Sequence, residues 1–527
     1  MKIFSLLILL VLTIPLKSQY SDYGQLSTRI KKLGQNSTVA VSSLTKTFSG
    51  KEIFTVTVGK GEKENKPGIA VIGGINGASL ASVELIMQMA EKLAVSNSLL
   101  LDEVTFYFIP NVSPDATEQY FAPVRYERTR NTFPYDEDKD GKTDEDGFDD
   151  LNKDGVISVM RVLDPDKGEY FVHPDNPDLM VKADITKGEK GQYLVLLEGT
   201  DNDKDGKINE DQPGGVNFNR NFTFNYPYFS EDAGINAISE PETRSVAKFL
   251  FDHWNIFAVL CIGKENNLSE FSDLAAELSD KKITAVVSDK DKPYYQQAVE
   301  AYKKLVHLGD SSKVTSKGGD ILSWTYFHYG RFGFGTPGWN VVRDKNNRGS
   351  VDFDYLKYAA SKGIMQQVVP WQKFDHPDFP GKTVEIGGIK PFVALNPPMK
   401  VIDSISGPHY EFMLQLARMH PSLKFSSVKV LRNSGDLYQV EAEITNTGSL
   451  PTMAYPAVHS KWVKMVRLDI LTSKSQVISG GKKVFLFDRI DPGESQKVIW
   501  LVNGKGKVVL KAGSPQTGIV ARDVELN

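Results

Sequence analysis

Three short segments of this chain place side-chain oxygens at regular intervals. Each has an oxygen-bearing side chain at its first, third, fifth and ninth positions and a glycine at its sixth. These side chains are Asp136, Asp138, Asp140 and Asp144; Asp150, Asn152, Asp154 and Ser158; and Asp201, Asp203, Asp205 and Asn209. Alternating oxygens let the backbone wrap around one hard cation, and the glycine permits the sharp turn. The spacing therefore predicts structural calcium binding.

The three segments match the calcium loops of EF-hands and related modules. The twelfth position, where a glutamate is expected, holds Gly147, Arg161 or Gln212 instead. Nearby acids are available to complete a shell: Asp146, Asp149 and Asp211. The alternative is a solvated acidic segment whose carboxylates repel each other and keep it from folding. Three such segments within one stretch favour calcium.

A second set of motifs recurs in a fixed order along the chain. Over residues 68–93 an apolar strand runs into Gly73-Gly74 and then a helix. Later come Pro110-Asn-Val-Ser-Pro-Asp, Gly215-Val-Asn-Phe-Asn-Arg-Asn-Phe and Ser239-Glu-Pro-Glu-Thr. Together these segments resemble the zinc carboxypeptidases, the family of carboxypeptidase A. The resemblance implies an α/β fold with a mixed sheet flanked by helices.

The same resemblance assigns the family's zinc ligands and general base to residues of other types. The ligand positions fall on Asn76, Ser79 and Gly263, and the base position on Pro337 or Gly338. Zinc takes imidazole, thiolate or carboxylate groups, and hydrolysis also needs a carboxylate to accept a proton. We therefore expect no zinc and no catalytic residue at these positions, and predict a pseudoenzyme.

An active metallocarboxypeptidase with displaced ligands is the alternative. Glu265, His253 and His328 are the candidate replacements. His328 lies among aromatic residues, a setting more typical of a packed, hydrogen-bonded histidine than of a metal ligand. A third hypothesis is a calcium-stiffened surface or adhesion protein in which the C-terminal region binds a partner.

Part of the family's peptide-recognition apparatus has matching residues. Asn219 and Arg220 match the pair that holds the substrate's terminal carboxylate, and Arg128 or Arg130 matches a further arginine. A guanidinium pairs well with a carboxylate. The resemblance thus implies binding of peptide or protein C-termini. The alternative for Arg220, a structural pair with a buried acid such as Glu242, stays open.

Alternating strands and helices must position these residues. The sequence predicts strands over 51–58, 67–73, 104–109 and 256–262, and helices over 83–95, 240–254, 294–305 and 321–329. Residues 134–213 interrupt this pattern as an Asp-rich calcium-loop insertion in a domain spanning 19–420. From 421 to 527, short alternating runs separated by turn residues predict a β-sandwich.

Composition limits the function further. The chain has 527 residues and a net charge of −4, so no basic field favours nucleic acid. Lys2 and the apolar run that follows it predict a signal peptide over residues 1–18, too short for a membrane span. We therefore expect a protein secreted to the periplasm or beyond the cell. Cys261 is the single cysteine, so bound calcium is a candidate substitute for disulfides.

Overall fold

The computed structural model describes residues 20–134, 141–144, 146–209, 214–271, 285–308, 316–343, 351–460 and 462–527. The helices there are α1 (Tyr23–Leu33), α2 (Leu80–Ala94), α3 (Leu100–Glu103), α4 (Pro114–Glu118), α5 (Pro241–Asp252), α6 (Lys292–Leu305), α7 (Ile321–Phe327), α8 (Val351–Ser361), α9 (Met399–Arg418) and α10 (Tyr455–Ser460). Within these residues, no helix combines the length and apolar character needed to cross a membrane.

The strands fall into three groups along the chain. Those before and after the insertion are β1 (Val39–Lys46), β2 (Glu52–Val58), β3 (Gly68–Ile72), β4 (Thr105–Ile109), β9 (Ile256–Ile262), β10 (Phe332–Thr336), β11 (Val368–Phe374) and β12 (Val384–Ile389). Those within the insertion are β5 (Val159–Leu163), β6 (Tyr170–Val172), β7 (Met180–Lys182) and β8 (Tyr193–Leu197). The C-terminal strands are β13 (Leu423–Ser434), β14 (Leu437–Asn446), β15 (Val466–Leu471), β16 (Val477–Ile478), β17 (Val484–Phe487), β18 (Ser495–Asn503), β19 (Gly506–Ser514) and β20 (Gly518–Leu526).

A mixed sheet lies at the centre of the N-terminal part. Its six strands follow the order β1-β2-β4-β3-β9-β10. The pairs β4–β3, β3–β9 and β9–β10 are parallel, and the pairs involving β2 are antiparallel. This confirms the predicted α/β class with a mixed sheet flanked by helices.

Helices cover both faces of this sheet. Successive side chains of a strand point to opposite faces, and β3 follows this rule. Ile69 and Val71 share a buried core with residues of α2 and α9. Ala70 and Ile72 share a second core with residues of α5 and α7. Burial on both faces explains why β3, β4 and β9 are continuous apolar runs.

The Asp-rich insertion contains a sheet that the sequence analysis does not predict. Strands β5 to β8 join β11 and β12 in the order β11-β12-β5-β8-β6-β7. A small core of Met160, Val162, Val384 and Ile386 is buried beneath it. The insertion is therefore attached to a later segment of the chain, and the second and third acidic loops lie next to the ends of β5 and β8.

Two antiparallel sheets form the C-terminal part. Their orders are β13-β14-β18-β16 and β17-β15-β19-β20, with four strands each. Val440 and Trp500 from one sheet are buried against Leu468 and Leu510 from the other. Two packed sheets with a shared apolar core confirm the predicted β-sandwich.

Candidate binding cleft and acidic loops

The matched family positions lie at one edge of the central sheet. Because β3, β9 and β10 are parallel neighbours, their carboxyl ends meet at the same edge. Asn76 and Ser79 follow β3, Gly263 follows β9 and Pro337 follows β10. Ligand sites of open α/β sheets lie at this edge, which makes it the candidate site.

Two adjoining pockets at this edge form a cleft. One has a volume of about 560 Å³ and contains Asn219 and Arg220. The other has a volume of about 470 Å³, and Asn76, Ser79, Gly263 and Pro337 all line it. Asn76, Thr129 and Lys264 belong to both pockets, so the two are continuous. The four matched positions therefore line a single pocket.

The side chains at these positions do not form a zinc-binding set. The Asn76 side-chain oxygen accepts a hydrogen bond from the Ala78 N–H at 3.2 Å, and Ser79 occupies the N-cap position of α2 without a side-chain capping hydrogen bond. A Cβ placed on Gly263 would lie 3.1 Å from the Ile75 Cβ, and Ile75 is buried. A longer side chain at 263 would therefore displace Ile75. The residues present do not fit a zinc ion, which needs imidazole, thiolate or carboxylate ligands.

The candidate replacement histidines lie elsewhere. His253 Nδ1 is 2.8 Å from the Phe249 carbonyl oxygen, and His328 Nδ1 is 2.8 Å from Thr223 Oγ1. Neither lines the cleft. Of the three candidates, only Glu265 does. Its pKa is raised to about 7 by burial and by the nearby charge of Asp320, although Asn219 hydrogen-bonds its carboxyl.

Arg220 is fixed in the cleft by neighbours on several sides. Its Nε donates to Asp232 Oδ1 at 3.2 Å, and its Nη2 donates to Ser230 Oγ at 3.0 Å. Its Nη1 donates to the carbonyl oxygens of Lys317 and Gly318. The acid paired with Arg220 is thus Asp232, whereas Glu242 lies beside Asn131. A guanidinium has five N–H donors, so one on Nη2 is left for a ligand.

The two candidate arginines of the 128–130 segment have different positions. Arg128 donates to the carbonyl oxygens of Arg130, Asn131 and Gly214 and lines neither pocket. Arg130 lines the larger pocket, where its Nη2 lies 3.6 Å from Glu231. Arg128 therefore holds the backbone of this segment together, and Arg130 faces the cleft.

Two lysines in the cleft are absent from the sequence predictions. Lys264 and Lys317 are exposed and line the larger pocket. Neither ammonium group makes an ion pair with another described residue. The position of Lys264, next to the matched Gly263, is the signal that would have pointed to it.

The acidic loops of the insertion are only partly within the described residues. Asp136, Asp138 and Asp140 lie outside them, whereas Asp144 accepts a hydrogen bond from the Gly214 N–H. In the second loop, the Asp150 carboxylate accepts from the N–H groups of Asp154 and Gly155. Gly155 has a φ of 81°, the left-handed turn that the sixth position requires.

Glu198 joins the two ends of the second loop through hydrogen bonds. Its carboxylate accepts from the N–H of Asn152 at 3.0 Å and from the N–H and hydroxyl of Ser158. Glu198 is buried at the end of β8, three positions before Asp201. It closes one loop from the strand that leads into the next, an arrangement that sequence spacing alone does not indicate.

The third loop gathers carboxylates most closely. Ligand oxygens of Asp201, Asp203 and Asp205 all lie within 4.8 Å of one another. The Asp201 carboxylate accepts from the Gly206 N–H, and Gly206 has a φ of 96°. Among the described residues, this is the one group of three or more His, Cys, Asp or Glu side chains placed to share a metal ion.

Comparison with known proteins places this geometry in a family. A family model described as zinc carboxypeptidase matches residues 29–334, and a domain of unknown function (DUF8731) matches residues 422–525. No curated protein matches the chain. Since the first model spans more than half of the 527 residues, it carries the assignment.

Solved carboxypeptidases are similar to this chain at low identity. Bovine thrombin-activatable fibrinolysis inhibitor, in complex with tick carboxypeptidase inhibitor, is 14% identical, with 66% of this chain and 94% of that chain covered and a TM-score of 0.39. Helicoverpa armigera carboxypeptidase A is 14% identical over 66% and 74%, with a TM-score of 0.38. A Burkholderia cenocepacia metallo-carboxypeptidase is 10% identical over 59% and 58%, with a TM-score of 0.32. By the family model, this chain belongs to the zinc carboxypeptidase family.

Proposed function

We propose that this chain is a secreted pseudoenzyme of the zinc carboxypeptidase family that binds peptide C-termini without cleaving them. One observation carries the proposal: the pocket that contains the matched ligand and base positions is lined there by Asn76, Ser79, Gly263 and Pro337. The predicted signal peptide, which lies outside the described residues, supports secretion.

The lining of this pocket accounts for the absence of hydrolysis. A bound zinc ion would polarise the scissile carbonyl and acidify a water. Amide and hydroxyl groups at Asn76 and Ser79 do not hold such an ion, and Pro337 has no carboxylate to accept a proton. Glu265 does not replace it, because its carboxyl is hydrogen-bonded by Asn219 and lines the other pocket, not the one that holds the matched positions.

Basic groups in the larger pocket support peptide binding. Lys264 and Lys317 are exposed there, and Arg220 has one donor left on Nη2. These groups offer charge-assisted hydrogen bonds to a terminal carboxylate. Asn219 hydrogen-bonds Glu265 and accepts from the Ile321 N–H, so it fixes the wall beside Arg220. Arg128 supports the cleft indirectly, through the backbone of residues 130–131.

The test is a comparison of two peptides by isothermal titration calorimetry. One has a free C-terminus, and the other has the same sequence with a C-terminal amide. Loss of the charged acceptor costs about 1.5–3 kcal/mol, roughly tenfold to a hundredfold in Kd. Equal affinity for the two peptides would contradict C-terminal recognition. Chelator-sensitive release of the last residue would contradict inactivity.

We also propose that the insertion binds calcium as a structural cofactor. The support is the all-oxygen composition of the loops, the left-handed glycines Gly155 and Gly206, and the close carboxylates of the third loop. Removal of calcium is expected to lower the melting temperature of the full chain, measured by circular dichroism with and without a chelator. A melting temperature that does not respond to calcium would contradict this proposal.

A further inference from the structure

Three buried oxygen atoms near the third loop have no hydrogen-bond donor. They are Oδ2 of Asp146, Oδ1 of Asp201 and Oδ1 of Asn209. Asp146 is 0% exposed and Asn209 is 5% exposed. Buried acceptors are normally paired with a donor, water or an ion. Three unpaired acceptors around one loop are the arrangement expected of a cation-binding site.

Asp146 contacts the third loop, although in the sequence it lies just before the second loop. Its Oδ1 accepts a hydrogen bond from the Asn202 N–H at 2.9 Å. Asp149, from the same segment, accepts from the N–H and hydroxyl of Thr200. These bonds dock residues 146–149 on the start of the third loop. They leave the second carboxylate oxygen of Asp146 buried and without a partner, on a side chain whose other oxygen contacts the loop.

Basic side chains balance only part of the negative charge of the loop in the described residues. Lys207 Nζ lies 2.7 Å from Asp205 Oδ2. Among the described residues, no lysine or arginine pairs with Asp146, Asp201 or Asp203.

The second loop provides an internal contrast. Asp150 accepts from two backbone N–H groups, and Asp154 Oδ1 accepts from the Val156 N–H. Glu198 accepts from both ends of this loop. The unpaired buried oxygens are therefore confined to the third loop and its neighbour Asp146, not spread over every Asp-rich segment that the structure describes.

We propose that Asp146 is a ligand of a calcium ion held by Asp201, Asp203, Asp205 and Asn209. This inference rests on the calcium binding proposed above and assigns it a place. Calcium accepts six to eight oxygen ligands, more than a nine-residue loop without its terminal glutamate supplies. The Asp146 carboxylate fills that role from outside the loop. The ion thereby ties the segment before the second loop to the third loop.

The test is calcium titration of the full chain after chelation and desalting, by isothermal titration calorimetry. Asp146→Asn and Asp203→Asn are each expected to weaken the tightest calcium site by about 10–100-fold, the loss typical of damage to a metal site. Asp166→Asn, an exposed acid in the same insertion, is the matched control and is expected to bind as the wild type does.

Crystals of the wild-type chain grown with calcium give a readout that does not depend on the folding of a variant. Asp146 Oδ2 is expected about 2.3–2.6 Å from the ion. An ion without Asp146 in its shell, or wild-type affinity in Asp146→Asn, would overturn the role of Asp146 and leave calcium binding intact. A wild-type chain that binds no calcium would overturn both proposals.

Discussion

The cleft and the third acidic loop are opposite cases of a metal site. In the cleft, the matched positions hold an amide, a hydroxyl, a glycine and a proline, and Ile75 packs against Gly263. In the loop, carboxylate oxygens lie within 4.8 Å of one another and buried oxygens lack donors. The matched cleft positions offer no zinc ligand, whereas the loop offers several close carboxylate oxygens. Similarity of a scaffold to a metalloenzyme family therefore says less about metal binding than the chemistry and hydrogen bonding of the side chains at the site.

The largest expected difference between the loop and the cleft is in how added calcium and zinc change the stability of the fold. Calcium at a thousand times its Kd is expected to raise the free energy of unfolding by about 4 kcal/mol, because it binds the folded loops alone. The same concentration of zinc is expected to produce no gain that depends on the cleft. Chemical denaturation of the chelated chain, with each ion added back, measures both. A larger gain from zinc than from calcium would reverse the comparison.

Introducing a side chain at Gly263 tests whether packing closes the position that matches a family ligand. Gly263→His is expected to destabilise the fold by about 1–3 kcal/mol, the usual cost of overpacking, because its Cβ would lie 3.1 Å from Ile75. Gly407→His is the matched control, since a Cβ at Gly407 meets nothing within 4 Å. Urea denaturation of both variants gives the difference. Equal stability of the two variants would show that the position remains open.

The basic groups of the cleft can be ranked by substitution. Arg220→Ala and Lys264→Ala are each expected to weaken binding of a free peptide C-terminus by about 1–2 kcal/mol, less than a full charge-assisted hydrogen bond because the neighbouring cations remain. Lys362→Ala removes an exposed lysine outside the cleft and serves as control. Fluorescence anisotropy with a labelled peptide measures the Kd values. Unchanged affinity in Arg220→Ala would assign Arg220 to structure alone.

The smallest expected effect is a pH dependence from Glu265. Its pKa is raised from 4.5 to about 7, so its contribution to folding is fully present below about pH 4.5 and is lost as the pH rises through 7. Protonation of the Glu265 carboxylate as the pH falls also removes a negative charge from the cleft. Peptide affinity is therefore expected to rise a few-fold as the pH falls from about 8 to about 6.

Glu265→Gln is expected to flatten this pH dependence of peptide affinity. Glu242 provides the control, because its pKa is also raised to about 7 by burial but it lies outside the cleft. Glu242→Gln should alter the pH dependence of stability and leave that of peptide binding unchanged. Peptide titrations at several pH values distinguish the two variants. Identical pH profiles of peptide affinity for both would show that Glu265 does not control the pH dependence of binding.

Much of the fold could be predicted from periodicity and motif order. The strand predicted over 256–262 is β9, and the helix predicted over 240–254 contains α5. The strands of the insertion were missed, because β6 and β7 are three residues long and lie among aspartate, glycine and lysine. Short strands of this kind are stabilised by their partners in the sheet, which sequence spacing does not reveal.

For the candidate sites, the sequence predicted which residues are involved but not all of their partners. Motif order placed Asn76 and Gly263 at one sheet edge, but the acid that pairs with Arg220 is Asp232, not Glu242. The loop spacing identified Asp201 and its neighbours as candidates. It could not identify the docking of Asp146, because that contact depends on how two loops pack together. Local patterns predict donor types, whereas unpaired donors and acceptors emerge only from tertiary structure.

The most direct measurement is anomalous diffraction from crystals exposed to zinc and calcium together, recorded on both sides of the zinc absorption edge. The account predicts a calcium ion in the third loop and no zinc between Asn76, Ser79 and Gly263. A zinc ion in that pocket, about 2.0–2.3 Å from nitrogen or oxygen ligands of the protein, with an empty third loop, would contradict it.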